Sequence, residues 1–110
     1  MQYTHKSFVL SKFLKHYVPE ESTADIYLYI QDVTTYIDFY VIEYDSQYGD
    51  MVALVDPIPD PMILDLELVN VDSLDGHRLF IKVFKKNSPL KLEEVQNRIL
   101  PLKYMIPARK

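Results

Sequence analysis

The chain contains no cysteine. That excludes a disulfide framework, a thiolate nucleophile and a cysteine-ligated zinc site, and it fits a reducing cytosol. Only two of the 110 residues are glycine, Gly49 and Gly76, so phosphate-cradling loops of the Gly-x-Gly-x-x-Gly or Walker kind do not occur. No stretch approaches the ~18 apolar residues that would span a bilayer. Charges threaded through the apolar residues of the first fifteen positions, with no small-residue cleavage site, argue against a signal peptide. The most informative scarcity is of positive charge. Between Lys15 and Arg78 there is no Lys or Arg, while the same interval holds fourteen Asp and Glu residues. The net charge of −4 hides this segregation, because the C-terminal third carries nine bases against two acids. Blocks of one sign create strong local fields if folding keeps them apart.

What is present is otherwise ordinary. Hydrophobic residues make up 48% and charged residues 25%, which is a globular composition, and the length suits one domain over 1–110. Leu10, Phe13, Leu14 and Tyr17 recur at i, i+3, i+4 and i+7, predicting an amphipathic helix over 7–17 that Pro19 ends. Residues 22–37 are ambiguous: Ile26, Ile30, Val33 and Ile37 have helical spacing, but Ile26 to Ile30 alternates with tyrosines and favours a strand at 26–31. Residues 35–55 read as a hairpin, with Ile37, Phe39 and Val41 on one face, Tyr36, Asp38, Tyr40 and Tyr44 on the other, and turn chemistry at Asp45–Gly49. Pro57, Pro59 and Pro61 suggest a stiff extended connector. Asp75-Gly76 then signals a second hairpin over 62–86, in which Leu66 and Leu68 share a buried face with Ile81 and Val83, while Asp65 lies across from Lys86 and Glu67 across from Phe84 with Lys82 diagonal to it. Ser88-Pro89 starts a helix over 89–100. The fold class expected is α+β, an antiparallel sheet of four to five strands with both helices packed on it, most simply on one face.

Chemistry-bearing patterns are sparse. No Gly-x-Ser-x-Gly elbow serves a serine nucleophile. His5 and His16 are about 16 Å apart along one helix, too far to share a metal. Asp65 and Glu67 with a neighbouring lysine could hold a divalent metal for phosphoester cleavage, although ordinary cross-strand ion pairing accounts for them more simply. The basic C-terminal third could meet nucleic acid, but its bases are expected to face acids, so direct nucleic-acid binding is not favoured. Tyrosines crowd the acidic segment, and large amphipathic rings beside carboxylates suit protein recognition.

The reading that follows is of a non-enzymatic, cytoplasmic protein-binding module with no cofactor, no metal and no membrane partner. Its partner would be a protein with a basic surface, engaged by Tyr36, Asp38, Tyr40, Tyr44, Asp45, Tyr48 and Asp50. An inhibitor that imitates nucleic-acid charge, or an immunity- or antitoxin-type protein, would have this character. The alternatives are an assembly subunit that forms homo-oligomers through its sheet edges, and a divalent-metal phosphoesterase.

Overall fold

The computed structural model describes residues 2–4, 7–21, 24–60, 64–84 and 90–97. In chain order the elements are β1 (Gln2–Thr4), α1 (Ser7–Tyr17), β2 (Asp25–Ile26), β3 (Leu28–Asp32), β4 (Ile37–Asp45), β5 (Asp50–Pro57), β6 (Asp65–Asn70), a 3-10 helix (Val71–Leu74), β7 (Arg78–Val83) and β8 (Leu90–Lys91). A helical segment, α2, follows over 92–97. The main sheet is antiparallel wherever strands pair, in the order β1-β7-β3-β4-β5-β6, and β2 and β8 form a separate two-stranded ribbon. The α+β class and the helix over 7–17 hold. Strand wins over helix in the ambiguous segment, as β2 and β3. The main sheet has six strands rather than four or five, the three-residue β1 forming one edge.

Alternation decides the layers. Leu28, Ile30, Phe39, Val41, Met51, Ala53, Val55, Leu79 and Ile81 point to one face, where Leu10, Leu14 and Val18 of the α1 region cover them. Leu10 and Leu14 are fully buried, each worth roughly 2 kcal/mol of apolar burial. Ile26, Ile42, Leu54 and Val95 cluster on the opposite face, with Leu64, Phe84, Leu90 and Leu92 around them. The two helices therefore sit on opposite faces, not on one. The C-terminal helix, expected over 89–100, begins at 92, because Leu90 and Lys91 first pair with Ile26 and Asp25. Lys91 Nζ donates to Asp25 Oδ1 at 2.7 Å across that ribbon. Ser88, Pro89 and 98–100 lie outside the described residues.

The hairpin 35–55 forms as β4 and β5. Gly49 takes φ +70° and Gln47 N–H donates to Asp45 Oδ1 at 2.9 Å, closing the turn. A bulge between Val41 and Glu43 shifts the register. It also moves Tyr44 onto the α1 face, where it is buried.

The hairpin expected over 62–86 does not form. β6 pairs with β5, and β7 pairs with β3 and β1. The reason lies in the turn. A two-residue hairpin of the primed type needs positive φ at both central positions, but Asp75 has φ −62° and ψ 129°, and only Gly76, at φ +80°, is left-handed. That is type II geometry. It redirects the chain out of the 3-10 helix, with His77 N–H bonded to Leu74 O at 3.1 Å. Asn70 caps that helix, and its Val71 and Leu74 are buried beneath α1. The crossover links the Asn70 end of β6 to the Arg78 end of β7, four strand positions away and at the opposite end of the strands. On a flat sheet those ends would be about 30 Å apart, near the limit of eight extended steps, so the sheet must coil. Leu66 and Leu68 are consequently exposed rather than buried, and Glu67 lies across from Ala53 and Asp65 across from Val55. Lys86 is outside the described residues. The proline connector also differs: Pro57 ends β5, and Asp60 N–H bonds back to Pro57 O at 3.0 Å, so the chain bends there.

Candidate functional site: an acidic cleft beside a sheet edge

Pro19 stops α1 and its carbonyl accepts from Tyr44 N–H at 2.9 Å. That bond is available because β3 begins its pairing only at Leu28 opposite Val41, leaving the end of β4 without a strand on that side. It draws Glu20 and Glu21 to the β4–β5 turn, where Asp45 and Asp50 face each other across the register. Glu43, set by the bulge, completes the group. The result is a cleft of about 460 Å³ lined by Glu20, Glu21, Glu43, Asp45, Gln47, Asp50, Val52 and Leu68. Among the described residues five carboxylates line it and no cationic side chain does. None of the five is in an ion pair among the described residues. Two unit charges 8 Å apart in water repel by about 0.5 kcal/mol, so this self-repulsion would be relieved by a cationic ligand.

Hydrogen bonds fix the floor. Asn70 Nδ2 donates to Asp50 Oδ1 at 2.8 Å and to Tyr48 O at 3.1 Å, tying β6 to the turn. Val71 N–H bonds Gly49 O at 2.9 Å beside it. At Gly49 the left-handed backbone is required, and the side chain of Val71 lies 3.5 Å from where a Cβ would sit.

The seven residues expected to form one surface divide into four places. Asp45 and Asp50 enter the cleft, and Tyr48, 67% exposed, stands in its turn. Tyr36 is also exposed, but it lies at the opposite end of β4, about 30 Å of strand away. Tyr44 is core on the α1 face. Asp38 and Tyr40 lie on the α2 face within a separate polar cluster. The continuous tyrosine patch is therefore not assembled.

In that second cluster Asp38 faces Asp56 across β4 and β5, and both are buried. The Tyr29 and Tyr40 rings are opposed across β3 and β4, with centroids 5.0 Å apart. Burial, reinforced by the negative charge of Asp38 and Asp56, holds both phenols well above their ordinary range; Tyr29 also bonds to Asp38. Phenols so held stay neutral donors at neutral pH. Tyr44 is raised as well, by burial first, against a hydrogen bond from Ser11 that lowers it. Sequence reasoning missed Tyr29 and Asp56. The hairpin register, in which partner numbers sum to 94 before the bulge, would have paired Asp38 with Asp56. Nothing in the pattern signalled Glu20, Glu21 or Glu43, because a tertiary bond and a bulge bring them in.

No family model, curated protein or solved structure matches this chain.

A third polar site holds the base of the sheet together. Asp32, fully buried, accepts from Thr34 N at 3.0 Å, Thr35 N at 3.3 Å and Thr35 Oγ1 at 2.7 Å, and is 2.7 Å from His77 Nδ1. Because a carboxylate only accepts, Nδ1 carries the proton. Arg78 N–H bonds Thr34 Oγ1 at 2.8 Å alongside. This network ties the 33–36 turn, in which Tyr36 is left-handed at φ 59°, to the crossover that delivers β7. No group of three or more His, Asp or Glu able to hold a metal occurs among the described residues. Asp65 and Glu67 sit on the outer strand β6 while Lys82 lies on β7, four strands away, so among the described residues those two acids and Lys82 are not gathered. No described helix is long and apolar enough to cross a membrane.

Proposed function

We propose that this chain is a non-enzymatic, cytoplasmic protein-binding module that receives a basic segment of a partner protein in the acidic cleft. The observation that carries the reading is the convergence of Glu20, Glu21, Glu43, Asp45 and Asp50 on one cleft with no cation among the described residues of its lining. Val52 and the 70%-exposed Leu68 add apolar surface beside the charge, so a partner gains both contact area and charge neutralisation. An antagonist that occupies a nucleic-acid-binding surface would use such a field, because that surface is itself basic. The test is calorimetric titration with a lysine-rich peptide. Raising salt from 50 to 500 mM shortens the screening length from about 14 to about 4 Å, and affinity should fall at least tenfold. The double charge reversal Glu43→Lys with Asp45→Lys should abolish binding at 50 mM. Affinity indifferent to both changes would dismiss the reading.

A further inference from the structure

We infer that β6 is a docking edge on which a partner adds an extended strand whose residues alternate between basic and apolar. The inference rests on the cleft being a partner site and states how the partner is held. β6 is the terminal strand of the sheet. Its inner side pairs with β5 without a register break from Asp50–Asn70 to Val55–Asp65, and among the described residues nothing pairs with its outer side. Five of its six residues are exposed, including Leu66 at 46% and Leu68 at 70%. Edges are usually blunted by proline, charged side chains, a bulge or a cover; Asp65-Leu-Glu-Leu-Val-Asn70 has no proline or bulge, and its only charges, Asp65 and Glu67, are both negative, so they oppose a like strand and favour a basic one. What it has is alternation. Leu66 and Leu68 share the α2 face with their partners Leu54 and Val52, and Asp65 and Glu67 occupy the other face.

That pattern selects its occupant. A second copy pairing along β6 would set Asp65 and Glu67 against the same carboxylates, and like charges directly opposed are destabilising. A guest with lysine or arginine on the Asp65–Glu67 face and apolar residues beside Leu66 and Leu68 meets complementary neighbours at every position. Leu68 also lines the acidic cleft, so the guest's apolar face abuts the cleft, while the charge its basic face captures is that of Asp65 and Glu67 on the other face of the strand. Strand addition draws affinity from main-chain hydrogen bonds and specificity from alternate side chains.

The test uses an eight-residue peptide alternating lysine and valine, and the same peptide N-methylated at its four central residues. Methylation keeps the charge and side chains but removes backbone donors on both edges. The expected result is binding of the first, at least about tenfold weaker binding of the second, and slowed amide exchange over residues 65–70 in the first complex. Equal affinity for the two peptides, with no added protection in β6, would overturn strand addition while leaving the electrostatic cleft intact. No binding of either peptide would overturn both.

Discussion

Replacing Asp32 with alanine tests whether one carboxylate holds the base of the sheet. Four donors lose their acceptor: two backbone N–H groups, the Thr35 hydroxyl and His77 Nδ1. Hydrogen bonds to a charged acceptor contribute about 1.5–3 kcal/mol and neutral ones about 1. The 3.3 Å contact to Thr35 N is weak, and the exposed Thr35 side chain recovers water. Removing the carboxylate also removes the cost of keeping it from water. The net loss is about 2–4 kcal/mol, which at a urea slope near 1.5 kcal/mol/M lowers the denaturation midpoint by about 1.3–2.7 M. His77→Ala deletes one arm and should cost about 1–2 kcal/mol. Because both act on the same bond, the double variant should be more stable than the sum of the single losses implies, with a coupling of about 1–2 kcal/mol. Should Asp32→Ala not fold, Asp32→Asn keeps one carbonyl oxygen for Thr34 N–H and should lose roughly half as much. A midpoint shift equivalent to less than about 1 kcal/mol for Asp32→Ala, or strict additivity with His77→Ala, would refute the network as the clamp between the 33–36 turn and the crossover.

Alkaline pH should unfold this protein through Tyr29 and Tyr40. Their phenols are raised by burial and by Asp38 and Asp56. Above about pH 10 the unfolded chain therefore releases these protons first and binds fewer than the native state, so stability falls as pH rises. Urea midpoints measured between pH 9 and 11 should drop, and less steeply in Tyr40→Phe; an unchanged slope in that variant would remove Tyr40 from the account. Truncations on β5 and β6 should separate core from edge. Leu54→Ala, at a fully buried site, should cost about 2–5 kcal/mol, and Leu68→Ala, at the exposed neighbouring position, less than about 0.5. Comparable urea shifts for the two would mean that Leu68 is covered.

Local patterns were readable where a single physical requirement controlled them. Leu10 and Leu14 sit on a helical stripe, and both are core. The 45–49 turn carries an Asp side chain and a left-handed glycine where the hairpin needs them. The misreadings arose where two conformations satisfy the same residues. Asp75-Gly76 suits a hairpin or a type II turn, and burial of Val71 and Leu74 under α1 selects the latter. The alternation of β6 matched β7 as well as it matched β5, so register alone could not choose the neighbour. For the site, the charge block was evident in the sequence, and part of it does converge. Its location was not, because the bulge before Glu43 and the bond from Tyr44 N–H to Pro19 O are tertiary facts without a local signature. The bulge also sends Tyr44 inward, while Tyr36 and Tyr48 fall at opposite ends of one strand, which dissolved the expected tyrosine surface.

The most direct measurement is a backbone amide shift map of the protein titrated with the alternating lysine–valine peptide at 50 mM salt. Large shifts confined to residues 20–21, 43–50 and 65–70 are the predicted result. Shifts centred on α1 or β7, with those three segments unmoved, would contradict the claim that cationic partners enter at the cleft and its adjoining edge.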